Sequence, residues 1–506
     1  MFKRLLNLPL FVILMGIGAV AMYLPAAHAA VVREYEIMRV FFESANLMLI
    51  LTVLIAIATS GRVIKNQGRS YLFALFAAFT VLPVMLAIPF RISVADTSFL
   101  NAYLEMVSDF TTTGLTMFSD PSRLPESVHL WRAMVGWLGG LLMLVAAVAI
   151  LAPMNLGGFE VLSSTRSGYG PTVVAQSTWA GDGSLRLQRF ALRILPLYAG
   201  LTWILWITLL VLGDGPFVAL CHAMSVVSTS GISPVGGLQG SESGLGGEAA
   251  VFLVLIFAIS RQAYVTDQSG FGFLRLFSDP EFRLASVFVI SVPALLFVRH
   301  WFGAYELDEI GAVREGASAL WGAVFTVMSF LTTTGFESSG WSAAQNWSGL
   351  ATPGMILMGL ALIGGGVATT AGGVKLLRVY ALYKHGTREM DRLVHPSSVG
   401  GSGTAARILR RHGAYVAWVF FMLFVISLAV TVLAFTFMGI DFEVAMTLTI
   451  AALSTTGPLV NVAMDTPIEL ATLGSTAKFI LGGAMVLGRL ETLAIIALLN
   501  PEFWRA

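Results

Sequence analysis

The chain has 506 residues, 56% of them hydrophobic and only 12% charged, and a mean hydropathy of +0.81, which excludes a water-soluble globular domain and points to lipid as the solvent. A net charge of +1 offers no basic excess for nucleic acid, and the single cysteine, Cys221, excludes an internal disulfide framework.

At the N-terminus, Lys3 and Arg4, the apolar run Leu5 to Leu24 and Ala27-His28-Ala29 imitate a secretory signal with its cleavage site. The run approaches the ~20 residues that cross a bilayer, so it reads equally as a retained first transmembrane helix, and retention is the expectation adopted. Further spanning runs lie near 40–60, 71–90, 128–153, 187–212, 249–268, 283–301, 351–382, 413–438 and 475–499. Between them stand four apolar stretches, 97–110, 216–227, 317–331 and 442–453, too short to span. Such lengths suit re-entrant helices, which survive at membrane depth only inside protein or beside a water-filled cavity.

Basic residues fall on alternating connections: Lys3 and Arg4; Arg62, Lys65 and Arg69; Arg166 to Arg193; Arg275 and Arg283; Lys375 to Arg411. The positive-inside rule makes these cytoplasmic and places both termini there. The opposite connections carry Asp96, Asp120, Glu126, Asp214, Glu242, Glu306, Asp308, Glu309, Glu315, Asp465 and Glu469, either as ordinary solvated loop charges or as an outer mouth attractive to cations.

Each short stretch ends in hydroxyl residues and a glycine: Thr111-Thr112-Thr113-Gly114, Ser228-Thr229-Ser230-Gly231, Thr332-Thr333-Thr334-Gly335 and Ser454-Thr455-Thr456-Gly457. The glycines are 117, 104 and 122 residues apart, the mark of one unit used four times: outer helix, half-helix, hydroxyl-rich turn, inner helix. The expected fold is all-α, with an N-terminal helix pair over 1–62 and repeats over 70–165, 186–275, 281–390 and 410–506. Glycine admits backbone conformations closed to other residues, so carbonyl and hydroxyl oxygens from four turns can form stacked rings that replace water around a monovalent cation, as in potassium-type filters. The half-helix C-terminal ends, each equivalent to about −0.5 charge, favour a cation there. Small residues also serve plain helix packing. Four copies, each after a non-spanning segment, favour the filter.

The region Leu350 to Glu389 would be about 60 Å long as one helix, twice the hydrocarbon thickness, so it must break. The break is written Gly364-Gly365-Gly366-Val367-Ala368-Thr369-Thr370-Ala371-Gly372-Gly373, a segment expected to gate the filter from below or to form a passive kink. Arg489 lies in the otherwise apolar run Ala477 to Leu499, where a charge costs at least ~2.5 kcal/mol. It either faces the pore as a barrier to cations or snorkels to the interface. Glu491, two positions on, lies on a different helix face.

With these residues in place the chain resembles the Trk/Ktr/HKT superfamily of cation transporters, in its TrkH-type branch of potassium transporter membrane subunits. Beyond the four turns, the resemblance is carried by Trp137-Leu138-Gly139-Gly140, Asp279-Pro280-Glu281-Phe282-Arg283, Arg392-Leu393-Val394-His395-Pro396, Gly488-Arg489-Leu490-Glu491 and Pro501-Glu502-Phe503-Trp504-Arg505. It implies potassium uptake across a bacterial inner membrane and a fold of four helix, pore-helix, helix repeats plus two N-terminal helices. It also implies filter glycines at Gly114, Gly231, Gly335 and Gly457, a gating loop over Gly364 to Gly373, and an inner-helix arginine at Arg489. A homodimer on a cytoplasmic TrkA-like ring that binds NAD(H), ATP or ADP follows from the same likeness, with no cofactor in this chain. Lys384, Arg388, Arg392, Arg407, Arg410 and Arg411 face that ring or simply obey the positive-inside rule. The segment Arg261 to Asp267 is more charged than such an inner helix would be.

Catalytic signatures are lacking: there is no His-Glu-x-x-His pair, no Gly-x-Ser-x-Gly elbow, and no phosphate-binding loop among the glycine-rich segments. No buried carboxylate relay stands out to indicate proton coupling. The alternatives are a less selective potassium/sodium transporter or an ion-coupled small-solute secondary transporter, although the latter folds show twofold rather than fourfold repetition.

Overall fold

The computed structural model describes residues 8–60, 67–154, 156–158, 183–260, 276–277, 279–303, 309–350, 352–395, 413–464 and 467–499. Regular structure among them is helical throughout, and seven helices are long and apolar enough to cross a membrane. Lipid satisfies no backbone polar group, so a helix, which pairs its own, is the natural answer to this composition. The chain is a multi-pass membrane protein.

The first apolar run bends into α1 (Leu10–Ala21) and α2 (Tyr23–Val32), with Pro25 in the first turn of α2, and α3 (Tyr35–Thr59) returns alongside both. α2 is anchored to the body: the His28 ring shares a 3.1 Å hydrogen bond with Ser127 and lies 5.3 Å from the Phe217 ring. Leu47, Ile50 and Leu54 on α3 are exposed, as are Trp203 and Ile204 further along the chain. Such residues need no protein cover where hydrocarbon is the solvent.

Four helical sets follow. The first is α4 (Gln67–Thr80) and α5 (Leu82–Ser93), short α6 (Phe99–Phe110) and α7 (Glu126–Ala146). The second is α8 (Gly183–Val211), short α9 (Pro216–Ser228) and α10 (Gly244–Leu255). The third is α11 (Pro280–Gly303), α12 (Glu309–Leu331), an extra α13 (Trp341–Ser348), α14 (Gly354–Ile363) and, beyond a break, α15 (Leu376–Val394). The last is α16 (Gly413–Phe437), short α17 (Phe442–Leu453), α18 (Leu459–Val462), α19 (Ser475–Leu490) and α20 (Thr492–Leu499).

Three departures from the sequence expectation have local causes. α12 starts at Glu309 rather than near 317 and runs 23 residues, so it is not too short by length; Glu309, Arg314 and Glu315 in its first two turns confine the apolar part to its later turns. α13 occupies the connection after the third turn, too polar to be read as a helix in the membrane; its Trp347 ring stacks on Phe297 at 5.4 Å. The run 475–499 is not one helix: it breaks at Glu491, which adopts φ 62 between α19 and α20. The segment Arg261 to Asp267, the distal basic residues Arg407, Arg410 and Arg411, and the terminal Pro501 to Arg505 lie outside the described residues.

Candidate permeation pathway

The four hydroxyl-rich turns repeat one backbone geometry. The first hydroxyl of each donates back to the carbonyl four residues earlier: Thr111 to Val107 at 2.7 Å, Ser228 to Met224 at 2.8 Å, Thr332 to Met328 at 3.0 Å and Ser454 to Ile450 at 2.6 Å. It also pairs with the third: Thr111 with Thr113 at 2.8 Å, Ser228 with Ser230 at 3.0 Å, Thr332 with Thr334 at 3.2 Å, Ser454 with Thr456 at 3.1 Å. The middle residue is left-handed every time, with φ 55 at Thr112, 54 at Thr229, 59 at Thr333 and 54 at Thr455. That is an uncommon state for a β-branched residue, so the surrounding structure must over-determine it. All twelve hydroxyl residues are buried. Among the described residues, the middle hydroxyls of Thr112, Thr229 and Thr455 have no hydrogen-bond partner, whereas that of Thr333 accepts from the Gly372 amide at 2.7 Å.

The turns meet one another in chain order and close a ring. A methyl group on Gly114 would overlap the Ser230 carbonyl, one on Gly231 the Thr334 carbonyl, and one on Gly335 would press on Pro458. The last turn reaches the first, where the Gly457 amide donates to the Thr113 carbonyl at 2.6 Å. Backbones this close leave no room for a Cβ, and Gly114, Gly231 and Gly335 also have φ of 73, 67 and 81. Gly457 departs from this left-handed set, and Pro458 and α18 follow it directly. Each of α6, α9, α12 and α17 ends on its turn, so four C-terminal dipole ends face the ring. Trp137-Leu138-Gly139-Gly140 supports it from α7: Gly139 abuts the Phe110 carbonyl and Gly140 abuts Ser228.

Behind the ring lie buried charges that the sequence reading missed. Glu105 pairs with Arg132 at 2.5 Å, and its other oxygen accepts from the Met117 amide at 2.8 Å. Asp109 lies 3.6 Å from the Arg132 Nε. Glu248 on α10 accepts from Trp321 at 2.7 Å, from the Ser338 hydroxyl at 2.6 Å and from both the amide and hydroxyl of Ser339 at 2.7 and 2.8 Å. Buried carboxylates are therefore present, and they serve as ties between elements; for Glu105 and Asp109 a charge inside an apolar half-helix was the available signal. Several of the acidic outer residues also have local partners. Asp96 pairs with Arg123 at 2.5 Å, Asp120 caps Ser122 at 2.9 Å, and Asp214 accepts from Ser241 and Ser243 at 2.6 and 2.8 Å. The guanidinium of Arg123 holds the Asp96 carboxyl below its ordinary range.

The helix break predicted from the glycines is real: α14 stops at Ile363, Gly364 turns with φ 72, and α15 begins after Lys375. The intervening loop touches two turns and the end of α9. Its Thr370 hydroxyl contacts the Val227 carbonyl at 3.5 Å, Gly372 bonds Thr333, and a methyl on Gly372 would overlap Ser454 and Thr455. The Gly366 amide donates to Ala258 at 3.1 Å and that of Val367 to Glu281 at 2.8 Å. Arg489 is buried, at 4% exposure, and donates to the Thr370 carbonyl at 2.6 Å, so it does not snorkel. Glu491 pairs elsewhere, with Arg378 at 2.8 Å, whose guanidinium lies 3.4 Å from the Phe420 ring centroid. Lys375, at the end of the loop, and Arg378, in the first turn of α15, are thus buried, whereas Lys384, Arg388 and Arg392 are exposed further along α15.

A helical membrane protein whose half-helices deliver four hydroxyl-lined turns to one ring, with a broken helix beneath it, has the architecture of a channel-like cation transporter. The profile of the cation transport protein family TrkH matches residues 276–504. The Trk system potassium uptake protein TrkH of Halomonas elongata is 30% identical over 438 residues, covering 86% of this chain and 84% of that protein. Its namesake in Salmonella typhimurium is 29% identical over 447 residues, 87% of each. The potassium transporter TrkH from Vibrio parahaemolyticus, known from its crystal structure, aligns over 100% of both chains with a TM-score of 0.78 at 23% identity. The chain belongs to the TrkH family of cation transport proteins.

Proposed function

We propose that this protein takes up potassium across a bacterial inner membrane through the ring formed by residues 111–114, 228–231, 332–335 and 454–457. One observation carries the reading: four left-handed threonines meet in a ring beside four negative helix ends, and three of them have hydroxyls with no partner among the described residues. A buried hydroxyl without a partner costs free energy, and a partly dehydrated monovalent cation relieves that cost. The relatives, named for potassium uptake, support the choice of ion. The loop Gly364 to Gly373 acts as a gate beneath the ring, and Arg489 holds it there through Thr370 while placing a positive charge on the cation path. The protein works as a homodimer on a TrkA-like nucleotide-binding ring, with the exposed Lys384, Arg388 and Arg392 toward that partner and both termini cytoplasmic.

Rubidium-86 uptake into proteoliposomes, with competition by potassium, sodium and unlabelled solutes, tests the reading. Uptake competed by potassium well below the sodium concentration needed for the same effect is expected. Equal competition by sodium would favour the less selective transporter, a reading the departure of Gly457 from the other three turns keeps in play. Uptake competed by a neutral solute would overturn both.

A further inference from the structure

The position nine residues before each ring glycine is occupied by Glu105, His222, Thr326 and Leu448. In three of the four sets that side chain crosses from the half-helix to the segment leaving the turn. Glu105 accepts from the Met117 amide at 2.8 Å, His222 shares a 2.8 Å hydrogen bond with the Ser233 hydroxyl, and Thr326 accepts from the Ser338 amide at 3.3 Å. The residue types have nothing in common but a polar atom at the right height, and all three are fully buried. Leu448 has no polar atom, and the fourth segment is instead self-supporting: Leu459 and Val460 donate to Thr456 and Gly457 at 3.2 and 3.1 Å as α18 begins.

We propose that Glu105, His222 and Thr326 are positioning residues that brace the outgoing limbs of the first three turns and so set the width of the ring, while the fourth turn is held by the opening bonds of α18 instead. Arg132 fixes the Glu105 carboxylate through their 2.5 Å ion pair, and Glu248 seconds the third brace by accepting from Ser338 at 2.6 Å. A limb tied to its own half-helix cannot move outward or collapse inward when a smaller cation arrives. Discrimination between potassium and sodium by ring size therefore depends on these ties more than on the ring residues alone. The proposal rests on the reading of the ring as a potassium filter.

The test is sodium competition against rubidium-86 uptake in proteoliposomes carrying Thr326→Val, Thr326→Ser, Glu105→Gln and Leu448→Thr. Thr326→Val keeps shape and removes the acceptor, so the potassium-over-sodium preference should fall roughly fivefold, the equivalent of one ordinary hydrogen bond, with total uptake retained. Thr326→Ser should restore the preference, which a mere loss of packing would not allow. Glu105→Gln keeps an acceptor for Met117 and should shift the ratio less than Thr326→Val. Leu448→Thr should leave it unchanged. An unchanged ratio in Thr326→Val, with Gly335→Ala still abolishing uptake, would overturn the brace and leave the filter standing. Retained uptake in Gly335→Ala would instead strike the filter reading.

Discussion

The four turns and the loop beneath them are built by opposite means. Each turn is held mainly by its own half-helix, through hydroxyls that reach back to carbonyls three or four residues earlier and pair two residues apart. The loop from Gly364 to Lys375 borrows further partners from distant elements: Ala258 on one side, Glu281 on another, Thr333 of the third turn and Arg489 of α19. Structure made of local bonds persists whatever its neighbours do. The loop has short-range bonds as well, Val374 to Leu362 and Lys375 to Ile363 at 2.9 Å, but its ties to other helices shift when those helices move, which suits the proposed rigid filter and movable gate.

The sharpest way to break this contrast is Gly114→Ala. A Cβ there overlaps the Ser230 backbone at a left-handed position, and strain of this kind should lower rubidium-86 uptake by roughly tenfold to a hundredfold while the protein still elutes as a folded species. Wild-type uptake would mean that the turns do not set the path. Next comes Glu491→Ala, which removes a carboxylate that pairs with the fully buried Arg378 and should destabilise the protein by about 3 kcal/mol, read as a drop in thermal midpoint in detergent. The double variant Arg378→Met, Glu491→Leu should recover most of it, whereas a single variant as stable as wild type would show that the pair does not hold the loop side together.

Deleting Ala368 to Ala371, or making Arg489→Ala, should raise passive rubidium flux severalfold, since each removes a part of the proposed barrier without changing a residue of a turn. Reduced flux in both, in well-folded protein, would recast the loop as a structural support. The smallest effect is expected at the surface. Asp96→Asn breaks an exposed pair with Arg123, and its midpoint at pH 7 should match wild type. Because the folded Asp96 carboxyl titrates below its unfolded value, whatever it contributes is present at neutral pH and fades only as the pH falls through the carboxylate range below about 4. A clear loss at neutral pH would contradict this.

Periodicity and composition were enough for the short helices. The expected 97–110, 216–227 and 442–453 emerge as Phe99–Phe110, Pro216–Ser228 and Phe442–Leu453. The break at Gly364 was equally legible, because a helix twice the bilayer thickness has nowhere to go. Glu491 was not: a non-glycine residue with φ 62 in an apolar run carries no local mark, and its conformation answers to Arg378, more than a hundred residues away.

What the sequence determined by itself was therefore whatever depends on neighbours along the chain: solvent, helix lengths, the repeated hydroxyl-glycine turns and the point where a long helix must stop. Only the tertiary structure decided that the turns close a ring, that Glu105, Glu248 and Arg378 are ties rather than surface charges, and that Arg489 points at Thr370. Those outcomes rest on bonds between residues far apart in sequence. Their partners are chosen by which buried polar groups must be satisfied where neither water nor lipid can do it.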